Sequence, residues 1–186
     1  MIDQNQNRGF TLVEMLIAIG LFIVVVTISM GALLSIFDAN RKARTSKSVV
    51  DNLNFTIENM ARTVRFGTKY HCGETGVISD PLNCPHGGSG SNFLAVEFES
   101  TLVSYRLDTV NRRIQRRDGP TTNPWRDITP DEVEITNLTY YVTGAGTGDI
   151  SQPYVTAIVR GYVGTKSNTQ SNFSIETTMS QRVLDI

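Results

Sequence analysis

Between Phe10 and Phe37 the chain reads FTLVEMLIAIGLFIVVVTISMGALLSIF, and Glu14 is the one charged residue in those 28 positions. The 23 residues from Met15 onward carry no charge. As a helix rising about 1.5 Å per residue they would extend roughly 35 Å, enough to cross a hydrocarbon core about 30 Å thick. A single segment in lipid can satisfy its own backbone polar groups only as a helix. The β-branched run Ile23-Val24-Val25-Val26 is therefore read as helical against its strand preference. A cleaved secretory signal has an apolar core of about 7–15 residues followed by a small-residue cut site. This run is longer, and no such site follows it. The polar stretch MIDQNQNRG precedes it, so the junction that looks cuttable, Arg8-Gly9-Phe10, lies ahead of the apolar run.

Composition narrows the remainder. In 186 residues, 17 basic and 18 acidic side chains leave a net charge of −1, and 40% of residues are hydrophobic. That is enough for one ordinary core, and it excludes collagen-like repetition and a disordered chain. It supplies no overall field to gather a polyanion, so any nucleic-acid contact must rest on a local patch.

Glu14 needs a reason. A carboxylate costs about 2.5–3.5 kcal/mol at the centre of a membrane helix and less near the interface. Either it snorkels to the headgroups, or it meets a cation inside the membrane, for which a free α-amino group is the nearest candidate. The segment Arg8-Gly9-Phe10-Thr11-Leu12-Val13-Glu14-Met15-Leu16, with its G-F-T-L-x-E core, resembles the leader junction of type IV prepilins and type II secretion pseudopilins. In that family a membrane-embedded aspartyl peptidase cuts after the glycine, leaves the apolar helix attached and methylates the new amine. The resemblance implies that Gly9 precedes the cut, Phe10 becomes the N-methylated terminus, and Glu14 neutralises the terminus of a neighbouring subunit. It implies as partners prepilin peptidase, other pilin or pseudopilin subunits and the inner-membrane assembly platform. It also implies a single-pass chain in the inner (cytoplasmic) membrane with its C-terminal head outside the cytoplasm, later part of a pilus or pseudopilus. Arg41, Lys42, Arg44 and Lys47 outnumber Arg8 across the span, and the positive-inside rule alone would assign the body to the cytoplasm. We follow the family orientation, because a leader must meet its peptidase on the cytoplasmic face and the cysteines favour the outside.

Beyond the span, Val49/Val50, Leu53, Ile57, Met60/Ala61 and Val64 recur at spacings of three and four, the mark of an amphipathic helix. One helix from about residue 10 to about residue 66 would be roughly 85 Å long. Gly20 and Gly31 interrupt its apolar part and allow close helix approach or local loosening. Residues 67–85 and the run Gly87 to Ser91 read as a connector rather than core. Alternation then predicts strands at Leu94–Phe98 and Val103–Leu107, a return strand over Arg112–Arg117, and strands at Tyr154–Val163 and Phe173–Met179. Val133 and Ile135 share one phase and Leu138, Tyr140 and Val142 the other, which predicts a bulge or break near Thr136-Asn137. The expected fold class is α+β: a long N-terminal helix, membrane-spanning in its first half, on a small antiparallel sheet, as in pilins. The expected divisions are leader 1–9, transmembrane half 10–37, amphipathic half 38–66 and head 67–186. Chain order in the head loosely resembles minor pseudopilin J and PilW-like minor pilins.

Given an extracytoplasmic head, Cys72 and Cys84 are read as a disulfide, worth about 2–3 kcal/mol for so short a loop. The rival is a zinc set with His71 and His86, disfavoured because adjacent strand residues point to opposite faces. Arg112, Arg113, Arg116 and Arg117 form the basic cluster of the head. We read it as a charged strand edge, with DNA phosphates or another anion as the minor alternative. Glu97 and Glu99 are assigned to one solvent face of a strand, and Asp149 is a lone acid with weak calcium-binding character. No phosphate-cradling loop or nucleophile elbow is present. No cofactor, no metal and no enzymatic activity is therefore expected. The expected function is that of a structural subunit, a minor pilin or pseudopilin. The alternative is a signal-anchored extracytoplasmic binding module, an adhesin or DNA-uptake protein, that forms no filament.

Overall fold

A computed structural model describes residues 9–146, 151–163 and 170–182, apart from the side chains of 45, 46, 48 and 49. The chain divides into two compact units, Met1–Arg44 and Thr45–Ile186. Helix α1, Leu12–Phe66, begins in the first and ends in the second.

In the first unit every described side chain is exposed. The span Leu12–Arg44 is apolar enough and long enough to cross a bilayer, and none of it is buried by the protein itself. Three of its polar side chains bond back to their own helix. Thr27 Oγ1 donates to the Ile23 carbonyl (2.7 Å), Ser29 Oγ to Val25 (2.8 Å) and Asn40 Nδ2 to Ile36 (3.1 Å). Such back-bonding gives these side chains an acceptor within their own helix, which suits a lipid-facing surface. The helix runs through Gly20 and Gly31 without a break.

In the second unit α1 buries the face formed by Leu53, Ile57, Met60, Ala61 and Val64, as the periodicity predicts. Val50, assigned to that face from sequence, is instead exposed. It sits a turn before the first core contact. The helix ends at Phe66. The Gly67 N–H bonds to the Val64 carbonyl (3.1 Å), Arg182 N–H to the Arg65 carbonyl (2.7 Å), and the Tyr70 hydroxyl donates to Val64 (2.7 Å) and Gly67 (3.0 Å). The last carbonyls are thus satisfied by the residues that follow the helix and, at Arg65, by Arg182 from near the far end of the chain.

Two antiparallel sheets complete this unit. Strands β1 (Thr68–Cys72), β2 (Phe93–Phe98), β3 (Thr101–Asp108), β4 (Arg113–Asp118) and β5 (Arg126–Asp127) pair in that order. Strands β6 (Val133–Thr143), β7 (Tyr154–Val163) and β8 (Ser171–Ser180) form the second sheet. The α+β class holds. Two expectations are corrected. The stretch from residue 67 is not all connector, because β1 buries Tyr70, His71 and Cys72. Its Thr-Lys-Tyr-His-Cys sequence lacks the alternation that marks a half-buried strand. Glu97 and Glu99 do not share a strand face either: Glu99 and Ser100 form the β2–β3 turn with φ of 49° and 62°, the double positive-φ turn that suits a twisted hairpin. Glu97 pairs with Lys69 at 2.7 Å.

The predicted break in β6 is real: its register with β7 shifts between Ile135 and Asn137. Segment 82–92 ties to β6 by paired backbone bonds, Cys84 with Val142 (3.0 Å each way) and Ser91 with Tyr140 (3.0 and 2.7 Å). Gly161 lies opposite Ile135, and a Cβ there would collide with the Glu134 carbonyl and the Phe173 ring. Gly161→Ala is therefore expected to destabilise the folded unit by about 2–3 kcal/mol through overpacking. A denaturant midpoint within error of wild type would show that β6 yields at this point.

Candidate processing and assembly site

Gly9 and Phe10 precede the helix, exposed, and no heavy atom would meet a Cβ added at Gly9. Thr11 caps the helix: its Oγ1 accepts the Glu14 N–H (3.3 Å) and its carbonyl accepts the Met15 N–H (3.2 Å). The order Thr-x-x-Glu is a capping-box spacing, so Glu14 also stands where the helix dipole favours a carboxylate. That signal was legible in the sequence and was missed there. Phe10, Glu14, Ala18 and Phe22 line one shallow hollow along the helix at steps of four. A peptide bond in open chain thus lies beside a carboxylate at the head of an apolar helix. Cutting at Phe10 would set an ammonium group in that position. Among the described residues Glu14 forms no ion pair.

Cys72 and Cys84 are joined by a disulfide with Cα atoms 5.9 Å apart. Both sulfurs are thereby withdrawn from metal binding. His71 Nδ1 lies 2.7 Å from the Asp80 carbonyl and Nε2 3.0 Å from that of Thr75, inside the loop that the disulfide closes. His86 stacks against Tyr141, ring centroids 4.4 Å apart. The zinc alternative therefore loses its ligands to other contacts.

The four arginines separate. Arg112, in a turn with φ of 53°, bonds Glu134 (3.0 Å) and the Tyr162 hydroxyl (2.8 Å). The Tyr162 hydroxyl, then Arg112, hold the Glu134 carboxyl below the usual carboxylate range. Arg113 pairs with Asp131 and more loosely with Asp127 (3.8 Å), and Arg116 with Asp118 (2.8 Å). Arg117 is buried. The cluster is not one open patch, since three of its members already face an acid. Asp149 lies outside the described residues.

Residues 4–30 match the family described as the prokaryotic N-terminal methylation motif. No curated protein and no solved structure matches the chain. The matched segment runs across the capped helix start and into the exposed apolar span, and with that helix it supports a prepilin- or pseudopilin-like reading of the chain's N-terminal part.

Proposed function

We propose that the chain is the precursor of a structural subunit, a minor pilin or pseudopilin, of a type IV pilus or type II secretion pseudopilus. The observation that carries this is the methylation motif over residues 4–30 opening onto an apolar helix whose surface the protein leaves uncovered. So large an apolar surface must be covered by lipid or by other helices. Prepilin peptidase removes the leader 1–9 and methylates Phe10. Residues 10–37 anchor the subunit in the inner membrane, 38–66 continue the helix, and 67–186 form the head outside the cytoplasm. The disulfide supports that side, because such bonds persist in oxidising compartments.

Assembly then moves the apolar helix from lipid into a bundle of like helices. Lipid tails are as apolar as the bundle, so dispersion and polar contacts must supply the preference. Glu14 meeting the Phe10 amine of a neighbour is such a contact.

Mass spectrometry of the membrane-extracted protein tests the processing step. A mature N-terminus at methylated Phe10 is expected, and Gly9→Leu is expected to leave essentially all of the protein as precursor. An intact Met1 on wild-type protein made alongside its peptidase would overturn the proposal and favour a signal-anchored binding module.

A further inference from the structure

On the face away from α1 the first sheet carries two rows that are buried or half-buried except at Asp127, the exposed end of the second. Cross-strand register aligns His71, Ala95, Ser104 and Arg117 in one row and Phe93, Arg106, Gln115 and Asp127 in the next. The Trp125 ring lies against both. The guanidinium carbons of Arg106 and Arg117 stand 4.2 and 4.3 Å from its centroid, and the Phe93 ring meets it edge-on at 6.3 Å.

Two cations thus crowd one indole. Arg112, Arg113 and Arg116 each have an acidic partner, but among the described residues neither Arg106 nor Arg117 forms an ion pair. Arg106 Nε donates to Gln115 Oε1 (3.0 Å), and Arg117 Nη1 donates to the Thr121 carbonyl (3.0 Å). Glu74 acts on Arg117, and Asp108 on Arg106, through the field alone. Arg117 Nε is buried with no acceptor, and so is the hydroxyl of Ser104, its cross-strand neighbour. Burial, and then the charge of Arg106, hold Arg117 below the usual arginine range. A fold that keeps two like charges together over unmet buried donors lacks a counter-charge at that spot.

We propose that Arg106 and Arg117, stacked on Trp125, form a binding site for a single oxyanion, a phosphate-class or carboxylate group. The planar guanidinium fork matches two oxygens of either group, which a point charge does not. Arg106 and Trp125 are half-buried and form the approach, while Arg117 and Ser104 form the floor. This site would bind its ligand whether or not the chain enters a filament. Its residues lie outside the methylation motif.

Trp125 is the single tryptophan of the chain, so its fluorescence reports on this site alone. The full chain in detergent micelles is titrated with sodium phosphate, and separately with sodium glutarate, against sodium chloride at matched ionic strength. A saturable change with at least one of the two, absent with chloride, is expected. Arg106→Gln is expected to weaken it at least tenfold, and Arg116→Gln, on the opposite face, to leave it unchanged. If Arg106→Gln does not fold, Arg106→Lys keeps the charge, loses the fork, and is expected to weaken binding several-fold. A response to phosphate assigns a phosphate-class ligand; a response to glutarate alone assigns a carboxylate, such as an acidic side chain of a partner protein. The proposal is overturned if both probes follow chloride, or if a saturable response survives the Arg106 substitution intact.

Discussion

Glu14→Ala is expected to leave membrane insertion and removal of the leader intact while lowering incorporation into filaments roughly a hundred-fold. Breaking a buried ion pair by deleting one partner costs about 3–5 kcal/mol, because the remaining charge is stranded, and each 1.4 kcal/mol is about tenfold. In the bundle that stranded charge is the neighbour's Phe10 amine. In lipid the loss of Glu14 removes a cost instead, so the variant is held more firmly in the membrane. The capping geometry offers a smaller rival effect. Glu14 follows Thr11 at capping-box spacing, and losing a cap costs about 0.5–2 kcal/mol. Thr11→Ala separates the two, since it removes the cap and spares the charge. Sheared-filament yield, read beside the N-terminal mass, should fall less than tenfold for Thr11→Ala. Equal losses in the two variants would make Glu14 a helix-start residue and remove the intermolecular ion pair from the mechanism.

What the sequence made legible was local. Spacings of three and four exposed the buried face of α1, and the phase change at Thr136-Asn137 gave the register shift in β6, because both patterns are written in neighbouring residues. Burial on the second face of the first sheet was not written there. Ser104, Gln115 and Arg117 look like a solvent face in β3 and β4, yet they are buried. His71 and the loop after it, together with Trp125, cover that face from far along the chain. The arginine cluster misleads for the same reason: its four members are adjacent in sequence, but the acids that claim three of them come from the β4–β6 connection and from β6 itself, with Asp118 alone nearby. At the N-terminus the helix start was legible, because the cap and the carboxylate fall within a few residues of one another.

Removing the Cys72–Cys84 disulfide is expected to be strongly damaging to the head. Closing a loop of this length, a sequence separation of 12, contributes about 3 kcal/mol by restricting the unfolded chain. For a unit of this size that corresponds to a fall in Tm of roughly 6–12 °C. The bond also holds native contacts in place. Its loop carries the Leu82 N–H to the Tyr70 carbonyl (2.9 Å), the Cys72 N–H to the Leu82 carbonyl (3.0 Å), and the Thr75 and Asp80 carbonyls that face the two nitrogens of the buried His71 ring. On its far side Cys84 pairs with Val142 of β6, so the loop connects the two sheets. Alanine is the right replacement at both cysteines, because a serine hydroxyl at buried Cys72 would add its own desolvation cost. Thermal unfolding with and without reductant should show wild type falling to the midpoint of the double alanine variant, which itself does not respond to reductant. A reduced wild type that melts within a degree or two of the oxidised protein would mean that His71 and the backbone ladder hold this loop closed without the covalent bond.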